Sequence, residues 1–469
     1  MKKTTLAVIY GNRDFFPDEL VLEARKDIEA LFKEFDVNMV ALPQSATKNG
    51  SVETWEHSKE CAELFKKHRD EIDGVLVCMP NFSDEKGIAD TMKLTGLNVP
   101  ILVQAYPDDA VILPLDRRRD GFCGKISVCN NLRQYGFKYT LTTDHTTDPK
   151  CDQFKKDFSN FLGVCRVVNG LRNLRVGAVG ARPNAFNTVR FSEKLLQHYG
   201  ISVKTIDLSE LFGKAMRMAD DNKDVKAKVQ EIKDYIPTEG IPEESLLRMA
   251  KFAIALDDWT RYEDINATAL QCWNSIQQNL GINPCTLMSM MSNKLMPSAC
   301  EVDITGAVSM YALSLATGKP AALVDWNNNY ADEKDKCIFF HCGNWAKSFY
   351  PDFTMRNAEI LATTLGEENT YGAINGRVPA GPMSFARITT DDEDGVIRSY
   401  MGDGEITNDE LETFGSRAVV KVPGLQKLLK HICTYGFEHH AAFTNAYSAE
   451  IIKEAFGNYM GWEVFYHQG

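Results

Sequence analysis

The chain has 469 residues, enough for two or three domains of ~100–200 residues each. Its 44% hydrophobic and 25% charged residues exclude a mostly disordered chain, and no short repeat supports a collagen or coiled coil. A formal charge of -12, from 52 Lys+Arg against 64 Asp+Glu, argues against nucleic acid or an anionic membrane as partner, and for a small polar substrate or another protein.

The opening MKKTTLAVIYGNRDFF resembles a signal peptide only briefly. Its apolar run stops at Gly11, polar residues follow at once, and no small-residue cleavage site appears. It reads as a first β-strand, Thr5–Tyr10. Further β-rich runs lie at Val37–Leu42, Gly74–Met79 and Pro100–Ala105, with helical periodicity at Glu19–Phe35 and Glu53–Lys67 between them. Alternating strands and helices predict a doubly wound parallel sheet that binds ligands at the carboxyl ends of its strands, near Asn12–Arg13 and Pro80–Asn81. A second such unit starts near Leu174. LRVGAVG and ISVKTIDL read as strands around a loop and helix closed by Gly200. Helices are predicted over Asp220–Lys233, Pro242–Ala255 and Asp264–Leu280. After residue 320, turn-rich segments carry β-like runs at Ile338–His341, Met383–Ile388 and Arg417–Lys421. The expected fold is α/β: two doubly wound parallel-sheet domains, 1–172 and 173–318, followed by a β-rich C-terminal domain, 319–469.

No run reaches the ~18 apolar residues that span a bilayer. The 12 cysteines are scattered without a CxxC pair, which suits a reduced, cytoplasmic setting and small buried hydrophobes. Nucleotide motifs are absent: there is no GxxxxGK(S/T) loop and no full GxGxxG. The acidic runs TTDDEDGV and GDGEITNDELE lack the ligand alternation, central Gly and terminal Glu of a calcium loop, and read as turns and caps. Cys342 follows His341 directly. Neighbours on a strand point to opposite faces, so the two are not expected to pair.

With only nine histidines in the chain, their surroundings are informative. His341 ends an apolar strand in CIFFHCGN, and His439 and His440 lie in YGFEHHAAF. In SACEVDITGAVSMYALSL, Glu301 and Asp303 precede an amphipathic helix. Capping by the helix dipole would explain a carboxylate there, but Glu301 follows an apolar, cysteine-containing stretch. Asp325 ends the apolar strand of KPAALVDWNNNY. Oxygen ligands with one or two imidazoles suit a divalent ion such as Mn2+. Two carboxylates beside a polyol could also move a proton between neighbouring carbons.

The segments ACEVDITGA, PAALVDWNN, FHCGN and FEHHA together resemble the L-fucose isomerase and L-arabinose isomerase family, in its L-fucose isomerase-like branch. GARPNAFNTVRFSE, ATALQCWNSIQ and the stretch from GEITNDELE to FEHHAAF add to the likeness. The resemblance implies a metal-dependent aldose–ketose isomerase working through an enediol, with Mn2+ or another divalent cation such as Mg2+ or Co2+. It implies Glu301, Asp325 and His440 as metal ligands, and Glu301 and Asp325 as the proton-transferring pair. It also implies a homo-oligomer, a hexamer or similar, in which a neighbouring subunit's N-terminal domain completes the site. Sugar contacts are expected from Arg13, Arg182, Gln271, Trp273, Trp326, His341, Asn344 and His439, with the role of His341 open. The resemblance implies as substrate a small sugar of the L-fucose, D-arabinose or L-arabinose type. An anionic sugar such as sulfoquinovose is the alternative, with Arg13, Arg117–Arg119 and Lys125 as available cations. A non-catalytic sugar-binding protein and a metal-dependent aldolase are further readings.

Overall fold

The computed structural model describes residues 2–108 and 113–469. It divides into two compact units, residues 1–169 with 457–461, and residues 170–456 with 462–469.

In the first unit, β1 (Thr5–Tyr10), β2 (Asn38–Ala41), β3 (Gly74–Met79), β4 (Ile101–Ala105) and β5 (Thr140–Leu141) form a parallel sheet in the order β2-β1-β3-β4-β5. Every residue of β1 is buried. Its side chains alternate between two cores. Leu6, Val8 and Tyr10 meet Phe32, Phe158 and Phe161 on one side, while Ala7 and Ile9 meet Phe65, Ile88 and Val128 on the other. A strand flanked by helices on both faces must be apolar throughout, which is why TLAVIY shows no polar alternation. Capping side chains start the helices. Thr54 accepts from the His57 amide, and Asp84 accepts from the Gly87 amide at 2.6 Å.

The second unit carries two sheets. The smaller consists of β6 (Arg175–Val179), β7 (Ser202–Ile206), β8 (Ala267–Leu270) and β9 (Ser298–Ala299), parallel in the order β7-β6-β8-β9. The larger contains β10 (Ala321–Tyr330), β11 (Glu333–His341), β12 (Phe353–Asn357), β13 (Tyr371–Arg377), β14 (Gly381–Asp391), β15 (Val396–Thr407), β16 (Ser416–Lys421), β17 (His440–Thr444) and β18 (Glu463–His467). It runs β12-β13-β16-β11-β10-β17-β14-β15-β18, and β16 also pairs with β15. That extra pairing closes β16, β11, β10, β17, β14 and β15 into a barrel filled by residues such as Phe339, Phe385, Tyr400, Val420 and Phe443. Two parallel α/β sheets followed by a β-rich mixed sheet is the fold class expected from the sequence.

Two local expectations fail and a third holds. The helix predicted over Asp264–Leu280 is the fully buried strand β8, a loop, and a short helix at Ser275–Leu280. Alanine and leucine favour helices, but burial at the centre of a parallel sheet overrides that preference. The helix Ile304–Thr317 is not amphipathic; it is buried on nearly all sides, packed against β8, β10, β14 and β17. The acidic runs act as a turn and a cap, as expected: Asp391 closes the β14–β15 hairpin by accepting from the Glu393 and Asp394 amides, and Asp403, within β15, accepts from the Ala449 amide at the start of the helix Ala449–Lys453 at 3.3 Å.

Candidate functional site

The carboxyl ends of the smaller sheet and one end of the barrel bring the acidic and histidine residues together. Glu301 follows β9 at the ligand edge of the parallel sheet. Its φ is +55°, and that of Val302 is +57°. Two successive left-handed residues, one of them β-branched, cost of order 1–3 kcal/mol each, and this turn aims the Glu301 side chain inward. Glu301 Oε1 accepts from Trp273 Nε1 at 3.0 Å and from Cys272 Sγ at 3.4 Å. Glu301 Oε2 is buried and accepts no hydrogen bond among the described residues. It lies 3.6 Å from His341 Nε2 and 3.8 Å from His440 Nε2.

Asp325 does not end its strand, which runs on to Tyr330. It stands within the antiparallel sheet, not at the edge of a parallel one, because β10 is shared by the barrel. The register of β10 with β17 places it directly opposite His440. Asp325 Oδ1 lies 3.4 Å from His440 Nε2 and 3.5 Å from His439 Nε2. His440 thus joins two donor sets, one with Glu301 and His341, the other with Asp325 and His439.

The tautomer of His440 is set from behind. Its Nδ1 donates to Asp303 Oδ2 at 2.9 Å, leaving the Nε2 lone pair facing Glu301 and Asp325. Asp303 also caps the helix Ile304–Thr317, accepting from the Gly306 amide at 2.8 Å. Glycine is required at 306, because a Cβ there would lie 2.5 Å from Asp303 Oδ2. Arg387, fully buried, grips Asp303 with two nitrogens, at 2.6 and 3.0 Å, and Glu438 from its other side. Burial would raise the Asp303 carboxyl, but Arg387 and His440 outweigh it and hold it far below the ordinary aspartate value. Burial likewise opposes ionisation of Glu301, and the facing His341 and His440 hold it below its usual value.

His341 is held the other way round. Its Nδ1 accepts from the Cys342 amide at 3.0 Å, so in the neutral ring Nε2 carries the proton toward Glu301. Cys342 Sγ lies 3.4 Å from the same Nδ1. The sequence expectation that these neighbours would not pair fails because β11 ends at His341, and the alternation of a strand stops there. Gly343 makes the turn that follows, with φ +119° and its Cα so close to Ile374 that a Cβ would lie 2.3 Å from that carbonyl oxygen. Hydrogen bonds with Cys285 and Cys300 pull the Cys342 thiol well below its ordinary value against the effect of burial.

The expected sugar contacts divide. Gln271 and Trp273 follow β8; Gln271 Oε1 accepts from the Ala181 amide at 2.9 Å, fixing the loop after β6. Asn344 is buried, donating to Cys300 Sγ at 3.2 Å while its Oδ1 has no partner among the described residues. Arg182 lies on the loop after β6 and bonds its own neighbour, the Pro183 carbonyl. Trp326, next to Asp325 and so on the other face of β10, donates to the Tyr400 hydroxyl at 2.9 Å and packs on Phe339 and Phe385. Arg13 belongs to the first unit, paired with Glu85, bonded to the Ser83 carbonyl and stacked on Phe82. Of the other cations considered, Arg117 and Arg118 are exposed, Arg119 donates to the Pro80 carbonyl, and Lys125 is buried against Thr142 and the His145 carbonyl.

Sequence reasoning missed Asp303 as a site residue, along with Arg387, Glu438 and Phe186. Phe186, on the loop after β6, sets its ring 5.3 Å from Trp273, 5.7 Å from His439 and 6.2 Å from His440. Its only sequence signal is an apolar residue inside the polar loop ARPNAFNTV. Arg387 gave a clearer one, a lone cation within the apolar strand MSFARI.

The donor set fits a divalent cation of borderline hardness. Glu301 offers a buried oxygen without a hydrogen bond, His440 a free lone pair, and Asp325 a partly exposed oxygen opposite it. Such a carboxylate–imidazole centre at the carboxyl edge of a parallel α/β sheet defines the site.

Comparison with known proteins gives the family. The model of the fucose/sulfoquinovose isomerase N-terminal domain matches residues 7–172, and that of the L-fucose isomerase C-terminal domain matches residues 339–468. The chain belongs to the fucose isomerase family. Relatives include sulfoquinovose isomerases of Priestia aryabhattai, 24% identical over 59% of this chain and 60% of that one, and Alkalicoccus urumqiensis, 25% identical over 62% and 64%. A third, from Clostridium sp. (strain MSTE9), is 29% identical over 49% of this chain and 51% of its own. The chain thus spans about 60% of the length of the first relative it matches. Among solved structures, an ABC transporter periplasmic solute binding protein from Actinobacillus succinogenes with bound D-allose aligns at a TM-score of 0.17 and 10% identity, over 68% of this chain and 93% of that one, too low to carry any argument.

Proposed function

We propose that the protein is a metal-dependent aldose–ketose isomerase, with Glu301, Asp325 and His440 holding the cation and Glu301 and Asp325 moving the proton between C1 and C2 of the sugar. The observation that carries this reading is the pairing of a buried carboxylate oxygen free of hydrogen bonds with a histidine whose Nε2 lone pair is presented by Asp303. The bound cation, Mn2+ or a similar divalent ion, would supply Lewis-acid polarisation of the substrate oxygens. The chain's own groups do the rest. A carboxylate beside the sugar takes the proton from one carbon and returns it to the next, through an enediol. Trp273 steadies Glu301 through its indole N–H, and His341 Nε2 presents a proton toward the same carboxylate. Phe186 and Trp273 offer an apolar wall for a sugar face.

Three relatives carry the name sulfoquinovose isomerase, which supports a sulfonated aldose as substrate; the match to the L-fucose isomerase C-terminal domain supports a neutral sugar as the second reading. The proposal keeps the three-domain division at 172 and 318, a homo-oligomer whose neighbouring copy completes the site, and a cytoplasmic setting. No helix of the described residues is long and apolar enough to cross a membrane.

The deciding experiment incubates the chelated and Mn2+-restored protein with a panel of aldoses, sulfonated sugars included, followed by NMR. A ketose of unchanged carbon number that forms only with the cation supports the reading. Sugar binding without turnover would favour a binding protein, and cleavage of the carbon chain an aldolase.

A further inference from the structure

Beside the carboxylate–histidine centre, two thiols from distant segments of the second unit touch. Cys342 follows β11, and Cys285 opens the helix Cys285–Asn293, 57 residues earlier in the chain. Their Sγ atoms stand 3.6 Å apart, and both are free thiols. Cys285 is fully buried, and its thiol also reaches Asn283 Oδ1 at 3.3 Å. Cys342 is half-buried and lines a cleft with Ala358, Ala373, Phe414 and Gly415.

Packing alone explains a buried cysteine as a small hydrophobe. Two sulfurs in contact, one of them open to a cleft, have a further property: a thiol oxidised from solvent finds its resolving partner already in place. The sulfurs of a disulfide lie about 2.05 Å apart, so closing this pair takes about 1.5 Å, which rotation about the two Cα–Cβ bonds supplies. Cys300 is the competing partner, because it too is hydrogen-bonded to Cys342. It is fully buried, however, and its sulfur already accepts from Asn344 Nδ2 at 3.2 Å. The sulfur of Cys285 accepts no such bond; it donates to Asn283 and faces Cys342.

We propose that Cys342 and Cys285 form an oxidative modification site, in which a hydroperoxide entering the cleft oxidises Cys342 and Cys285 converts the product to a reversible disulfide. In the first step the Cys342 sulfur attacks a peroxide oxygen and the O–O bond breaks. Cys342 becomes a sulfenic acid, and the hydroperoxide leaves as its alcohol, or as water from hydrogen peroxide. In the second step the Cys285 sulfur attacks the sulfenic sulfur and the S–O bond breaks. The Cys285 proton leaves with the hydroxyl as water. The two thiols lose two electrons in all, and the peroxide gains them. A dithiol reductant reverses the change by exchange. The oxidised residue is the one whose amide holds His341 Nδ1, so the bond ties the turn that orients His341 to the helix Cys285–Asn293.

The test uses the full chain, reduced and chelated, with the exposed Cys123 and Cys433 changed to serine. It is titrated with hydrogen peroxide, then unfolded in an alkylating reagent, and peptide mass mapping reads which thiols are lost. The expected result is a Cys285–Cys342 crosslink that disappears after dithiothreitol. Cys285→Ser should stop the reaction at a Cys342 sulfenic acid, which dimedone traps. Cys342→Ser should slow the loss of the Cys285 thiol by at least about tenfold, because a buried thiol is inert on its own. Both thiols still alkylated after peroxide, or a crosslink from Cys342 to Cys300 instead, would overturn the proposal. Should the variants fail to fold, the crosslink map of the parent decides in the same two ways. None of these readouts depends on turnover, so failure here leaves the isomerase reading standing, and the reverse holds too.

Discussion

Replacing Asp303 by asparagine separates holding a fold together from presenting a histidine. Asp303 accepts from Arg387 twice, from His440 Nδ1 and from the Gly306 amide, at distances of 2.6 to 3.0 Å. Asparagine keeps the shape and one acceptor oxygen, which suffices for the cap. Its amide nitrogen then takes the place of Oδ2 and faces two donors, Arg387 Nη1 and His440 Nδ1. Removing one partner of a buried ion pair costs about 3–5 kcal/mol. Glu438 still engages Arg387 through two contacts, which places the loss near the lower end, ~3 kcal/mol. The second effect concerns the cation. Without a carboxylate behind it, His440 is no longer held with its proton on Nδ1, and the affinity for Mn2+ should fall by about 10–100-fold. Urea unfolding of the chelated protein measures the first quantity, and isothermal titration with Mn2+ measures the second. A variant that loses stability but binds Mn2+ within about twofold of the parent would refute the positioning role. A variant unchanged in both would refute the buried network itself.

Glu301→Gln keeps size and a ligand oxygen but removes the base; it should still bind Mn2+ by calorimetry while turnover collapses by at least ~10²-fold. In deuterated water the parent should exchange the C2 hydrogen of its substrate, and full retention over many turnovers would point to a hydride shift instead. Arg182→Ala and Arg13→Ala should each be compared on sulfonated and neutral sugars. An arginine that grips the sulfonate loses roughly a hundredfold in kcat/KM on the anionic sugar and far less on the neutral one, and equal losses dismiss it. Lys125, pushed down to about 8 by burial, carries a cost that is full below that value and disappears as pH rises past the ordinary lysine value near ~10.4. Lys125→Met should therefore add up to ~3 kcal/mol of unfolding stability at pH 7, with the gain shrinking toward pH 10.5; a gain independent of pH would sink that account.

The fold was legible where local pattern and tertiary burial agree. β1 and β3 begin and end where the apolar runs do, because a two-sided parallel strand needs unbroken apolar sequence and the flanking polar residues stop it. The pattern misled where composition and position disagree. Ala267–Leu270 has helix-forming residues, yet it fills the centre of a four-stranded sheet. The barrel was beyond reach for a different reason. Its closure depends on β15 pairing with β16 across an intervening loop, and β10 pairing with β17, which lies more than a hundred residues later. No periodicity within a strand encodes its partner.

The site shows the same boundary at the scale of single side chains. Glu301, Asp325 and His440 were readable because a charged or titratable residue in an apolar setting is costly unless something uses it. Asp303 satisfied that test equally well, but a simpler explanation was available, since a carboxylate before a helix caps it. Both are true in the structure. One oxygen pair caps the helix, binds Arg387 and orients His440. Arg387 and Glu438 then follow from electrostatics: an aspartate buried beside a histidine needs a cation, and that cation, itself buried, needs a second carboxylate. Charge alone links Asp303 to Arg387 and Arg387 to Glu438 in one buried network. Reading that network from the sequence still required knowing that residues 303 and 440 touch, and only the register of β10 with β17 and the placement of the helix Ile304–Thr317 against β17 supply that.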